Sequence, residues 1–198
     1  MNKPDYKALT LCRDSGDCKI ESRHRRDFIA RGSGLMAAAA TGSLLSGVAH
    51  AQQNGPLFAY VGCYTTEQRG GRGKGISVFR VNITDAVWTP VQLVSNVINP
   101  SFLCLDREQN FLYSVHGDMD YVTAYAINPA DGSLTELNRE PCGGTNPVHV
   151  AVDQSNQFLV VSNYTSGSVS VMPMMADGSL GPLTDLVNLE GTPGPHRT

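Results

Sequence analysis

The sequence predicts an all-β protein of the β-propeller class, on three observations. The first is a repeat. NPSFLCLDREQNFLYSV at residues 99–115 returns at 146–162 as NPVHVAVDQSNQFLVVS, with Asn, Pro, Asp, Phe and Leu in register. The period is 46 to 47 residues, and both copies run on to the same Ala-Asp-Gly-Ser-Leu, at 130–134 and 176–180. The second is that each period breaks into short runs rich in β-branched and aromatic residues, separated by polar turns. The third is what is missing: the body of the chain shows no apolar spacing at i, i+3 and i+4, so the helical arrays of similar period are excluded.

The elements follow in order. SFLCLD and VHVAVD are the first strands of their repeats. FLYSVHG and FLVVSNY are the second, after polar turns. YVTAYAI and SVSVMPM are the third. Ala-Asp-Gly-Ser is a turn, because Asp bonds its own backbone and Gly accepts positive φ. LTELNRE and GPLTDLVNL are a fourth, more polar strand. Four strands in roughly 45 residues make a propeller blade. A weaker, earlier copy is FAYVGCYTT (58–66) followed by GKGISVFRVN (73–82).

The first 51 residues have a different character. Of 15 Lys/Arg and 18 Asp/Glu in the chain, this segment holds eight and five, a net +3. Seven and thirteen remain, so the body is at −6. Arg25-Arg26 precedes Phe28-Ile29, an uncharged weakly apolar run from Gly34 to Val48, and a small-x-small site at Ala49-His50-Ala51. That anatomy predicts a cleaved signal over residues 1–51, with the paired arginines directing it to the Tat machinery and the periplasm or exterior. The apolar run is too short to span a bilayer of about 20 residues, so no stable membrane insertion is expected after cleavage. An acidic body without a basic run gives no expectation of nucleic-acid binding. A body over 52–198 holds three periods and the opening of a fourth. Closed propellers need about four to eight blades, so an N-terminal part of a longer protein is expected.

Three cysteines remain in the body, Cys63, Cys104 and Cys142, with no C-x-x-C pair. Neither zinc nor a dithiol motif is supported. Cys104 fits a buried small hydrophobe, and one disulfide is open. No metal or cofactor is expected. GGRGKG at 70–75 lacks the order of a phosphate loop and has no helix after it, so it is expected to be a flexible hairpin loop. HGDMD at 116–120 is expected to be an exposed loop, and Ser162 has no nucleophile elbow around it. Asp106 and Asp153 recur before polar turns, which predicts a turn role for both. Two sequons, at Asn82 and Asn163, are discounted because the signal is bacterial in type.

The departure from the repeat is His149. It stands where the preceding copy has Phe102. Strict alternation would put His149, Ala151 and Asp153 on one face of the strand and Val148, Val150 and Val152 on the other. First strands of blades line the central channel, and ligands bind at its mouth. His149 is therefore either a site residue or a hydrogen-bonded core histidine.

FAYVGCYTT…GKGISVFRVN and NPVHVAVDQSNQFLVVSNYTSGSVSV resemble the lactonase family of seven-bladed propellers, which includes bacterial 6-phosphogluconolactonase and fungal carboxy-cis,cis-muconate cyclase. The resemblance covers about residues 56–198 and rests most on Pro-x-His followed by Ser-Asn-Tyr. It implies a small lactone or carboxylate substrate and a catalytic role for His149. It also implies that Arg197, in GPHRT, is an anion-binding or oxyanion-stabilising arginine, with Asn163 and Tyr164 as substrate-binding donors. A base to activate water and a positive group for the oxyanion are what lactone hydrolysis requires. The expected function is an exported sugar-lactone hydrolase. The alternatives are a lactone-forming cyclase of the same fold and a non-catalytic binding propeller.

Overall fold

The computed structural model describes residues 6–10 and 56–191. They lie in one unit made of Met1–Cys12 and Gln53–Thr198. The described residues form twelve strands: β1 (Tyr6–Thr10), β2 (Leu57–Gly62), β3 (Ile76–Val81), β4 (Trp88–Val94), β5 (Pro100–Leu105), β6 (Phe111–His116), β7 (Tyr121–Ile127), β8 (Leu134–Pro141), β9 (Pro147–Val152), β10 (Phe158–Asn163), β11 (Ser168–Pro173) and β12 (Asp185–Asn188). They form three four-stranded sheets in the orders β1-β2-β3-β4, β5-β6-β7-β8 and β9-β10-β11-β12. Each sheet is one repeat, and the second and third are antiparallel meanders. In the first sheet β1 lies beside β2 in parallel, in the place that β5 and β9 take in the others. The rest of residues 1–51, including the paired arginines, lies outside the described residues, as do 192–198.

The turns form as their chemistry predicts. Asp131 Oδ1 accepts from Ser133 N and Oγ at 2.9 and 2.7 Å, and Asp177 Oδ1 accepts from Ser179 N and Oγ at 3.0 and 2.6 Å. Between them Gly132 and Gly178 take φ of 78° and 85°, which a Cβ would oppose. Asp106 and Asp153 close the turns after β5 and β9. Asp106 Oδ1 accepts from Asn110 N and Phe111 N, and Asp153 Oδ1 from Gln157 N and Phe158 N. The turn role expected of these two aspartates is what their geometry shows.

Two apolar layers hold the sheets together. One joins the first and second sheets through Phe58, Tyr60, Ile76, Leu103, Leu112 and Tyr125. The other joins the second and third through Tyr113, Val115, Val150, Leu159, Val161 and Met172. The repeat contacts itself across each layer. Tyr60 donates its hydroxyl to Gly132 O at 2.9 Å, and Tyr113 donates to Gly178 O at 3.0 Å. Phe58 and Phe111 pack on the same two glycines, where a Cβ would come within 2.5 and 2.1 Å of the ring. Each Asp-Gly turn thus serves its own blade as a hairpin and the preceding blade as a hydrogen-bond acceptor.

The segment GGRGKG lies in the hairpin loop between the antiparallel strands β2 and β3, where the sequence puts it, and that loop is folded back on itself. A 3-10 turn at Glu67–Arg69 opens it, and Gly71 N and Gly73 N donate to Thr66 O and Tyr64 O. A Cβ on Gly73 would lie 2.0 Å from Cys63 Sγ, so the glycines here permit close packing. His116 is no loop residue. It ends β6 with 0% exposure, between Ile98 O and Thr123 Oγ1. The disulfide left open is absent, because Cys63, Cys104 and Cys142 are all free thiols.

Candidate functional site

The first strands of the sheets approach one another, β1 beside β5 and β5 beside β9, which places them on the inner side. At one end of the sheets lie the loops that follow β2, β6 and β10. His149 is at that end of β9, paired with Ser162 near the close of β10.

The backbone there is irregular in a way that alternation does not predict. His149 pairs with Ser162 and Pro147 with Asn163, so Val148 is left over as a β-bulge. The same bulge occurs one repeat earlier. Phe102 pairs with Val115 and Pro100 with His116, leaving Ser101. After the bulge the strand recovers, with Val150 buried against the second sheet. Strict alternation over 148–153 is thus corrected: Val148 and His149 are both exposed.

Each bulge is anchored by the Asn before its Pro. Asn99 and Asn146 hold φ of 42° and 57°, in the left-handed region that asparagine tolerates better than most residues. Asn146 Oδ1 accepts from Asp118 N at 2.9 Å, and its carbonyl accepts from Tyr164 N at 2.9 Å. Asn99 accepts from Thr65 N and Thr66 N through Oδ1, and from Gly117 N through its carbonyl. Each asparagine therefore ties the loop of the preceding blade to the loop of its own. The sequence shows Asn-Pro twice in register; what that pair does was legible only in space.

The His149 ring makes no hydrogen bond among the described residues. Its ring contact is with Phe102, at 4.6 Å between centroids and 50° between planes. The histidine and the phenylalanine that replaces it one repeat earlier thus touch.

Asn163 lies beneath this end of the sheet at 3% exposure. Its Nδ2 donates to Ser168 Oγ and Ser170 Oγ at 3.2 and 2.7 Å, and its Oδ1 accepts from Cys142 Sγ at 3.3 Å. The amide is fully engaged inside the fold. Tyr164 is the reverse, 73% exposed on the loop after β10. His149 and Tyr164 thus share one end of the third sheet, with Asn163 as the buried support between them. Arg197 lies outside the described residues.

On the same end, Arg69 from the loop after β2 forms a two-pronged ion pair with Asp118, its Nε donating to Oδ2 at 2.7 Å. Arg69 also lies over the Tyr64 ring at 5.6 Å. Hydrogen bonding within the pair lowers the Asp118 carboxyl and raises the Arg69 guanidinium, so each keeps the other charged. Among the described residues no group of three His, Cys, Asp or Glu is close enough to hold a metal, and no helix is long and apolar enough to cross a membrane. A groove of about 530 Å³ lined by Asp106, Phe111, Gln157, Phe158 and Met174 lies at the opposite end of the sheets from His149.

Comparison with known proteins converges on one family. The family described as Lactonase, 7-bladed β-propeller matches residues 58–198. A 6-phosphogluconolactonase of Bacillus subtilis is 35% identical over 142 residues, 70% of this chain and 39% of that protein. One from Formosa agariphila is 33% identical over 140 residues, 67% of this chain and 38% of that protein. Among solved structures, a Bacteroides fragilis protein described as a candidate 6-phosphogluconolactonase superposes with a TM-score of 0.64 at 32% identity, over 73% of this chain and 39% of that one. A periplasmic gluconolactonase of Pseudomonas aeruginosa gives 0.56 at 29% identity, over 64% and 37%. The chain therefore spans about two fifths of the length of the relatives it matches.

Proposed function

Since the chain belongs to the lactonase family of seven-bladed β-propellers, we propose that the whole protein is a lactone hydrolase and that His149 is its general base. One observation carries this reading. In a family whose named relatives are 6-phosphogluconolactonases, an inner strand presents an exposed histidine, without a hydrogen bond among the described residues, at the place where the preceding blade has a phenylalanine.

The chemistry is a single addition and collapse. His149 takes a proton from water as the oxygen attacks the lactone carbonyl. The carbonyl oxygen becomes an oxyanion. Its collapse breaks the ring C–O bond, and the departing alkoxide takes up a proton, giving the hydroxy acid. Neutral imidazole suits the first step near pH 7. The oxyanion, or a substrate carboxylate or phosphate, calls for a cation, and Arg197 is proposed for that place. The exposed Tyr164 hydroxyl is a further donor at the same end. Asn163 contributes through the loop it supports.

The substrate proposed is an unphosphorylated sugar lactone met outside the cytosol. Arg25-Arg26 and the Ala49-His50-Ala51 site support export by the Tat route, with residues 1–51, and therefore β1, removed from the mature chain. Similarity to a periplasmic gluconolactonase supports the same compartment and substrate class.

The test is hydrolysis of glucono-δ-lactone, 6-phosphogluconolactone and muconolactone by the whole protein, with spontaneous opening subtracted. The expected result is turnover of the unphosphorylated sugar lactone that drops at least about a hundredfold in His149→Ala, the usual worth of a general base. Turnover unchanged in a folded His149→Ala protein would sink the assignment.

A further inference from the structure

We propose that Phe102 is a positioning residue for His149: the ring of the second blade is the surface that fixes the imidazole of the third. The inference rests on the reading of His149 as base. A base in a catalytic pair is usually held by a hydrogen bond from a third group. His149 has none among the described residues. What it has is a tilted ring contact with Phe102, 4.6 Å between centroids and 50° between planes.

Three features make this contact a built one. Phe102 and His149 hold the same place in consecutive repeats, each one residue beyond a β-bulge. The bulges re-aim both side chains in the same sense, so the forward-facing ring of one blade meets the equivalent side chain of the next. The bulge beneath His149 is pinned from the second blade through Asp118 N and Asn146 Oδ1. The ring in contact with His149 comes from that same blade, so backbone and side chain are positioned by one neighbour. Phe102 itself packs at the edge of the layer formed by Val115, Val150 and Val161. It is therefore fixed by the core while its face meets an exposed imidazole.

Aromatic rings pair tilted at about 4.5 to 7 Å, with a gain beyond the area they bury. That is enough to favour one imidazole orientation over others several-fold, and misplacement of a catalytic group by an ångström costs up to a hundredfold in rate.

The experiment compares Phe102→Leu, Phe102→Tyr and His149→Ala in the whole protein, measuring kcat, KM, thermal midpoint and the His149 ring resonances by NMR. Phe102→Leu is expected to lower kcat about tenfold with KM within about twofold, and to shift the His149 resonances as the neighbouring ring current is lost. Phe102→Tyr keeps the ring face and is expected to hold kcat within about threefold. If His149→Ala is inactive while Phe102→Leu keeps its kcat, positioning is overturned and the base assignment stands. If all three variants lose kcat in proportion to a fall in thermal midpoint, Phe102 is a packing residue only. If His149→Ala keeps full activity, the base assignment fails and the positioning proposal with it.

Discussion

The rings of His149 and Phe102 are in tilted contact, 4.6 Å between centroids and 50° between planes, and the two residues hold the same position in consecutive repeats. The blades are equivalent for packing, so the replacement of Phe by His changes chemistry without changing place. Stability and activity should therefore separate at this site. His149 is exposed, and His149→Ala gives up its ring contact with Phe102 and little else, so it is expected to lower the unfolding free energy by about 0.5–1.5 kcal/mol. Asn163 is the contrary case. Asn163→Ala strips partners from Ser168, Ser170 and the Cys142 thiol in a buried network, and should cost about 2–3 kcal/mol. Urea unfolding of both variants checks this. A large loss for His149→Ala would mark it as a core residue after all.

His116 predicts an acid-sensitive fold. It is wholly buried between Ile98 O and Thr123 Oγ1, with Tyr121 stacked at 4.5 Å. Burial lowers its pKa from the ordinary 6.5 to about 4; the Ile98 hydrogen bond opposes the fall, Arg139 adds to it, and Glu136 opposes it. The unfolded chain takes up a proton near pH 6.5, and the folded protein refuses it until about pH 4. Stability is thus full above pH 6.5, falls as pH drops through that window, and levels below it so far as this group is concerned. The whole span is about 3 kcal/mol. His116→Asn, which installs the third repeat's residue, should remove this portion of the slope whatever it does to stability at pH 8. Denaturant midpoints between pH 8 and 4 measure it, and an unchanged slope in the variant counts against the assignment.

The Asp-Gly turns predict an order of cost across the blade interface. Tyr113→Phe deletes one buried hydrogen bond to Gly178 O and should cost about 1 kcal/mol. Gly178→Ala does two things. It places a Cβ 2.1 Å from the Phe111 ring and puts a non-glycine residue at φ 85°. Overpacking and left-handed strain together come to about 2–4 kcal/mol. Thermal midpoints should fall more for Gly178→Ala than for Tyr113→Phe; the reverse order would mean that the turn does not bear on the preceding blade.

These sites also show how far the sequence could be taken. The second and third sheets and their turns were legible, because a repeat of apolar runs and Asp-Gly pairs leaves few other ways to bury those runs; β1 was not, since it falls in a segment read as a signal. His149 was legible by its mismatch with Phe102. The bulge at Val148 was not, since alternation counts residues and a bulge adds one. His116 was misplaced for a similar reason. HGDMD is polar as a string, yet its first residue is the last of a strand and finds two partners inside. The Asn-Pro pairs were visible as a repeat, but their task of tying one blade's loop to the next involves hydrogen bonds to residues 28 and 34 positions away.

Export is the remaining step that a measurement can decide. The paired Arg25-Arg26 stands ahead of an apolar run with no charge. Paired arginines are the mark of a Tat signal, whereas a general secretion signal calls only for a positively charged n-region. Arg25→Lys together with Arg26→Lys keeps that charge. If Tat carries the protein, the double variant should stay in the cytosol at its full uncleaved length, and the parent should be recovered outside with Gln52 as its first residue. N-terminal sequencing of each fraction gives the answer. Export of the double lysine variant would assign the signal to the general route. Retention of the parent in the cytosol would remove the argument against a phosphorylated substrate, and 6-phosphogluconolactone would then be the first lactone to test.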